Sequence, residues 1–133
     1  MRKLATAITL LAALAITTAC EHHDDFEFTG TVVGYEYCES TIQDFAYMIA
    51  LDSPEGIGER VAVADGTIYD NVVVAYQAPR ILKDKWKVSG EMYIDNNYSK
   101  AHCSRTYDYP DPDGGEERIV LPKTVFTNLK VLN

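Results

Sequence analysis

The sequence predicts an all-β protein, a small closed barrel of five or six strands. Three observations support this fold class. Apolar and polar residues alternate with a period of two over several short stretches. Turn-forming Gly, Pro, Asp and Asn residues separate those stretches. No stretch keeps the 3.6-residue period of an amphipathic helix, and regularly spaced short strands are typical of barrels and sandwiches.

Residues 28–38 predict a long first strand that bends. The stretch is rich in Val and Tyr, which favour strands, but Gly30 and Gly34 interrupt it. A glycine inside a strand usually marks a bulge or a bend. A bent first strand is what a small closed barrel needs to turn a corner.

Residues 45–51 form the clearest strand pattern, and turn residues over 53–58 end it. Both faces of this strand are apolar or small, so we expect it to be central. One face carries Phe45, Tyr47, Ile49 and Leu51, and the other carries Ala46, Met48 and Ala50.

A hairpin follows in the middle of the chain. Residues 60–64 predict a short strand, and Asp65-Gly66 is a strong turn signal. Strand-forming residues continue over 67–69 and 72–76, and Pro79, which lacks a backbone N–H, ends this stretch. Residues 81–85 predict a single helical turn.

Two further strands are predicted, over residues 86–94 and 120–132. In the first, Trp86, Val88, Met92 and Ile94 share one face, with Lys87, Ser89, Glu91 and Tyr93 on the other. In the second, Val125, Thr127, Leu129 and Val131 alternate with Phe126, Asn128, Lys130 and Leu132.

Between these strands, residues 107–117 are rich in Asp, Pro and Gly. A calcium loop would need oxygen ligands at its first, third and fifth positions before the glycine. Aligning Gly114 with that glycine places Tyr109 at the first ligand position. The pattern is therefore broken, and we predict a solvated turn with no metal.

The order of these elements looks like an OB-type barrel, with a long bent first strand, a hairpin and a late return strand. The resemblance covers residues 28–132 and extends to small secreted OB-like lipoproteins, which imply no catalytic residues. The alternative is an immunoglobulin-like β-sandwich, which usually has about seven strands.

The N-terminal segment has the layout of a secretory signal peptide. Arg2 and Lys3 precede an apolar run over residues 4–16, and small residues then lead to Cys20. This ending resembles the lipobox of bacterial lipoproteins, although Thr17 stands where that family prefers Leu. The resemblance implies that Cys20 is lipidated and becomes the mature N-terminus. The alternatives are a membrane anchor, for which about 18 apolar residues are wanted, and cleavage without lipidation.

The chain thus divides into a signal peptide (1–19), a lipidated Cys with a polar tether (20–27) and one barrel domain (28–133). Asp24 and Asp25, shortly after Cys20, resemble an export signal of some outer-membrane lipoproteins. We therefore expect an outer-membrane lipoprotein of a bacterial envelope, displayed at the surface.

The charge of the mature chain argues against nucleic acid as a partner. The full sequence has 12 Lys and Arg and 20 Asp and Glu, and residues 1–19 hold two of the basic residues and no acidic ones. The mature balance is 10 − 20 = −10, which repels phosphate backbones.

Cys38 and Cys103 are an even pair in an oxidising compartment, so we predict one disulfide between them. The alternative is two buried free thiols. The spacing of the cysteines matches neither a redox motif nor a zinc site.

The sequence favours a binding module over an enzyme. The motifs of serine hydrolases and zinc proteases are missing, so we expect no catalytic residues and no cofactor. Nine Tyr and one Trp favour a protein or glycan partner, with Tyr98, Tyr107 and Tyr109 in predicted loops as the contact residues. The alternatives are a structural envelope component and a small hydrolase.

Overall fold

The computed structural model describes residues 24–37, 45–95 and 107–132, and within these ranges the protein is all-β, as predicted. No helix in the described part of the chain could span a membrane. The helical turn predicted over 81–85 is wrong, because Asp84 and Lys85 form a turn and the φ of Lys85 is 71°. The strands are β1 (Phe26–Tyr37), β2 (Phe45–Ser53), β3 (Glu59–Ala62), β4 (Ile68–Tyr76), β5 (Lys87–Ile94) and β6 (Lys123–Val131).

The strands are joined in a ring. β1 pairs antiparallel with both β2 and β5, β2 pairs with β4, and β5 pairs with β6. A parallel pairing of β4 with β6 closes the ring, while the short β3 lies outside it on the edge of β4. Without β3, the first strand pairs with the second and the fourth, as expected for an OB-like barrel. The ring is uneven, because β4 and β6 share only three residue pairs.

Strand β1 bends at its glycines, as predicted. Its pairing with β2 shifts register between Thr29 and Gly30 and again between Val32 and Gly34. A Cβ on Gly30 would lie 2.7 Å from the carbonyl oxygen of Ala50, so the two backbones approach closely there. The bend lets β1 pair with β5 from Phe26 to Thr31 and with β2 from Thr29 to Tyr37.

The inside of the ring is filled by side chains from all five of its strands. One apolar cluster joins Phe28, Val32, Tyr47, Ile49, Leu51, Val73, Ala75, Leu82, Val88, Met92 and Phe126. The side chains that β2 contributes to this cluster come from the face predicted to carry Phe45, Tyr47, Ile49 and Leu51.

A second apolar cluster covers the outer face of β2 and β4, so β2 is buried on both faces, as its sequence predicts. Residues 107–122, which we call the strap, lie over this face and contribute Tyr109, Ile119 and Leu121 to the cluster. An antiparallel bridge between Tyr109 and Ile119 holds the two arms of the strap together, with N–H···O distances of 2.8 Å in both directions.

Alternation alone assigned some faces of β5 and β6 wrongly. Met92 pairs with Phe126 and Glu91 with Asn128, which leaves Thr127 as an extra, bulged residue. The bulge brings Phe126 and Leu129 to the same inner cluster, although strict alternation separates them. Near the end of β5, Tyr93 is buried and Ile94 is exposed, the reverse of the prediction.

Candidate functional site

An exposed aromatic patch lies where β1 ends and β2 begins. Tyr35, Tyr37 and Phe45 meet edge to face, with ring centroids 5.4 Å apart for Tyr35 and Tyr37 and 4.9 Å apart for Tyr37 and Phe45. Phe45 also contacts Tyr35 at 6.0 Å. Tyr35 is 58% exposed and Tyr37 is 52% exposed, so two large rings face solvent in one place.

The strand pairing places these rings together. Tyr37 is opposite Phe45 and Tyr35 is opposite Tyr47 in the β1–β2 ladder, and side chains two apart on a strand share a face. The strap supports the patch from the side, because the hydroxyl of Tyr107 donates a 3.0 Å hydrogen bond to the carbonyl oxygen of Tyr37. The positions of the patch residues are therefore fixed by the pairing of β1 with β2 and by the strap.

Glu36 lies between the two exposed tyrosines in sequence but on the other face of β1. Its side chain is buried, with only 7% of the residue exposed. Burial raises the pKa of Glu36 to about 7, although the ammonium of Lys123 and a hydrogen bond with Tyr109 act in the opposite direction. With this pKa, the carboxyl group of Glu36 changes between its protonated and its ionised form near neutral pH.

Tyr109 and Lys123 complete the buried polar group around Glu36. Burial and the carboxyl of Glu36 raise the pKa of Tyr109, so its phenol stays protonated, and its oxygen lies 3.9 Å from the sulfur of Met48. Lys123 is 8% exposed, and its ammonium lies 5.8 Å from the ring centre of Tyr76. Such perturbed groups can mark a functional site. Here the hydrogen bond between Tyr109 and the carboxyl of Glu36 attaches the strap to the sheet.

A small apolar cleft lies beside the aromatic patch and shares Tyr35 with it. The cleft has a volume of about 250 Å³ and lies between β1, the β3–β4 turn and the loop before β5. Val32, Tyr47 and Leu82 provide apolar walls, and the acidic residues Asp65 and Asp84 also line the cleft.

The far end of the strap carries ion pairs. Arg60 on β3 binds Asp70 at 2.9 Å and Asp113 of the strap at 3.2 Å, and Arg118 binds Asp108 at 3.0 Å. Among the described residues, no three His, Cys, Asp or Glu side chains are grouped to hold a metal ion.

The solvated turn predicted from the sequence of the strap agrees with its local hydrogen bonds. The side-chain carboxylate of Asp111 accepts a hydrogen bond from the N–H of Asp113 at 2.8 Å. The backbone carbonyl oxygen of Asp111 accepts one from the N–H of Gly114 at 3.1 Å. These bonds close a compact, exposed turn.

Of the predicted contact residues, Tyr107 and Tyr109 are partly buried in the strap, and Tyr109 packs onto the sheet. Tyr98 lies outside the described residues, as do Cys20, Cys38 and Cys103, so their roles stay predictions. Sequence reasoning missed Tyr35 and Tyr37 as surface residues. The signal was present as two tyrosines two residues apart at the end of a strand, with an aromatic opening the next.

Fold and site together define a small OB-like barrel with a strap on its outer face and an exposed aromatic patch at one edge. Comparison of the chain with protein-family models, with curated proteins and with solved structures gives no match. The geometry of the site is therefore the basis for inferring function.

Proposed function

We propose that this protein is a lipid-anchored binding module of the bacterial envelope that contacts a protein or glycan partner through its aromatic patch. The anchor is the lipid expected on Cys20, and residues 21–27 serve as the tether. The observation that carries the proposal is the exposure of Tyr35 and Tyr37, at 58% and 52%, against Phe45.

Aromatic rings suit this role for physical reasons. Tyrosine combines a large apolar ring with a hydroxyl, and it loses little conformational freedom on binding because it has few rotatable bonds. The contacts among Tyr35, Tyr37 and Phe45 restrict the rings further before a partner arrives. OB barrels often take ligands at loops beside such strands, and residues 38–44 connect these two.

The charge of the chain narrows the class of partner. A mature balance of 10 − 20 = −10 repels polyanions, so single-stranded nucleic acid is disfavoured despite the barrel. Neutral glycans and proteins with basic surfaces remain compatible. A structural envelope component without a specific ligand is the second candidate. A small hydrolase is less well supported, since the carboxyl of Glu36 is buried and hydrogen-bonded with Tyr109.

A pull-down from cell envelopes and a glycan array would test the proposal. The test variant is Tyr35→Ala with Tyr37→Ala, and the control is Leu132→Ala, because Leu132 is exposed to the same degree at 57% but lies outside the patch. We expect the wild type and the control to retain one defined partner or glycan, and the double variant to lose it by at least about tenfold, as for removal of an aromatic anchor.

The proposal is wrong if the wild type retains nothing specific in both assays. It is also wrong if the double variant, shown by circular dichroism to be folded, binds as well as the control. Either result would favour the structural role.

A further inference from the structure

We propose that the cleft beside the aromatic patch is a docking pocket for one long basic side chain, lysine or arginine, of a protein partner. The inference rests on the proposed binding function and deepens it by naming the chemistry of the partner. It uses the cleft formed by β1, the β3–β4 turn and the loop before β5.

The size and walls of the cleft fit a single side chain. Its volume of about 250 Å³ is below the range of about 300–1,000 Å³ in which drug-sized ligands bind. Val32, Tyr47 and Leu82 are buried and supply an apolar lining. Lysine and arginine have apolar stems that favour such a lining and charged ends that need a polar mouth.

The walls of the cleft are joined to one another by hydrogen bonds. The N–H of Leu82 donates to the hydroxyl of Tyr47 at 3.2 Å. Val32 receives a bond from the N–H of Lys85 at 2.8 Å and donates its own N–H to the carbonyl of Trp86 at 2.9 Å. These bonds fix the loop against β1 and β2, so little reorganisation is needed on binding.

Charge at the cleft favours a cation. Asp65 and Asp84 are both exposed and line the cleft, and Asp65 is fixed by the backbone N–H of Thr67 at 2.9 Å. The ammonium of Lys85 interacts electrostatically with both carboxylates and donates to the hydroxyl of Tyr69 at 3.2 Å. The two carboxylates and the ammonium of Lys85 together carry a net negative charge at the mouth of the cleft. The negative charge of the whole chain further attracts a basic side chain.

The neighbouring cations are engaged elsewhere. Arg80 and Lys83 both lie over the ring of Trp86, at 5.4 and 5.6 Å from its centre.

Tyr35 belongs to both the cleft and the aromatic patch. A basic side chain of the partner in the cleft would therefore place the partner residues next to it on the exposed rings. Tyrosine and arginine are also the residues that most often dominate protein interfaces.

The test is a titration of the ¹⁵N-labelled full-length protein with two small probes, followed by amide chemical shifts. N-acetyl-lysine N-methylamide carries the stem and the ammonium, and N-acetyl-norleucine N-methylamide carries a similar stem without the charge. We expect the lysine probe to bind in the millimolar range, with the largest shifts at Val33, Gly34 and Ala64, and the norleucine probe to bind at least about fivefold more weakly.

Two matched variants separate the cleft from the general acidity of the chain. Asp65→Asn with Asp84→Asn should lower affinity for the lysine probe at least about fivefold. Asp52→Asn with Glu55→Gln removes the same charge from positions outside the cleft and should leave that affinity within about twofold.

Three results would overturn the inference: equal binding of the two probes, shifts spread over the acidic surface, or an equal effect of the two double variants. None of these touches the proposed function, because a glycan or protein retained through Tyr35 and Tyr37 would still be lost in the Tyr35→Ala, Tyr37→Ala variant. Conversely, a lysine probe that binds while the aromatic variant retains all partners would reject the proposed function alone.

Discussion

Glu36 and Tyr109 share a side-chain hydrogen bond that joins strand β1 to the strap above it. The carboxyl of Glu36 is buried, and the ring of Tyr109 packs on the outer cluster. The two exposed tyrosines of the patch flank Glu36 in sequence. A group that fixes the strap is therefore directly behind the surface that we assign to binding.

The buried carboxyl makes the stability of the fold depend on pH. The pKa of Glu36 rises from 4.5 to about 7 on folding, so the folded state binds a proton that the unfolded state releases between these values. Stability from this group is complete below pH 4.5 and is lost as pH rises to about 7. The difference corresponds to roughly 3 kcal/mol.

Glu36→Gln tests this because the amide has the same shape and stays neutral. In urea unfolding we expect the variant to be more stable than the wild type at pH 8, by up to roughly 3 kcal/mol, and nearly equal at about pH 4.5. Glu55→Gln, at an exposed position, is the control. A wild-type curve with the same slope as that of Glu36→Gln between pH 4.5 and about 7 would contradict the prediction.

Removing the hydroxyl of Tyr109 should move the same transition. The hydrogen bond with Tyr109 lowers the pKa of Glu36, so Tyr109→Phe should raise that pKa further and shift the stability transition to higher pH. Loss of one hydrogen bond to a buried charge costs about 2 kcal/mol above the transition. Tyr107→Phe loses the bond to the carbonyl of Tyr37 and should leave the midpoint in place. A midpoint that moves equally in both variants would count against the role of Tyr109.

The sequence predicted the strands because two-residue alternation and turn residues are local signals, whereas the pairing of the first strand with the fourth strand of the ring was expected from the resemblance to an OB-type barrel. It also predicted β2 as central, since both of its faces are apolar. The face of Phe126 was missed, because the bulge at Thr127 depends on how β6 pairs with β5 and leaves no separate mark in the sequence of β6.

The site was harder to predict for a related reason. The partial burial of Tyr109 depends on the strap covering the outer face of the sheet, and the exposure of Tyr35 depends on what packs beside the end of β1, and both are long-range choices. In sequence, Tyr109 stands among Asp, Pro and Gly residues that favour an exposed loop, while Tyr35 stands in an apolar strand. Local composition therefore pointed to Tyr109 as a contact residue and gave no signal for the exposure of Tyr35.

Gly90 is a position where any side chain should disrupt the ring. Its φ is 150°, and a Cβ there would overlap the carbonyl oxygen of Asn128 on β6. We expect Gly90→Ala to lower the free energy of unfolding by about 3 kcal/mol, the upper range for overpacking. Gly56→Ala is the control, because Gly56 also has a positive φ of 77° but has open space for 4 Å around the position that a Cβ would take. Equal urea midpoints for the two variants would show that β5 and β6 do not approach as closely as described.

Lipidation of Cys20 is a separate prediction from the N-terminal sequence. Cys20→Ser should leave an uncleaved or soluble precursor, because the modified thiol is missing. Membrane fractionation and intact mass measure the outcome, with Cys38→Ser as a control that keeps the lipobox. Unchanged fractionation and an unchanged mass pattern in Cys20→Ser would reject the anchor.

The remaining cysteines are predicted to form a disulfide that ties the end of β1 to the chain after β5. Cys38 follows β1 directly, and Cys103 follows β5 by nine residues. Strands β1 and β5 are antiparallel, so their last residues lie at opposite ends of the shared ladder. A bridge is still compatible with the ring, because the hydroxyl of Tyr107, four residues after Cys103, donates a hydrogen bond to the carbonyl oxygen of Tyr37, the residue before Cys38. The cysteines are 103 − 38 = 65 residues apart in sequence. Closing a loop of that length stabilises by about 4 kcal/mol in the chain-entropy model.

We therefore expect Cys38→Ala with Cys103→Ala, and equally reduction of the wild type, to lower the urea midpoint clearly. A small domain has only about 5–15 kcal/mol of stability in total, so a loss near 4 kcal/mol is easily measured. Reduction of the double variant should have no further effect, which separates the bridge from other actions of the reductant. Labelling of both thiols in protein made under oxidising conditions, or Cα atoms farther apart than about 7 Å in an experimental structure, would rule out the disulfide.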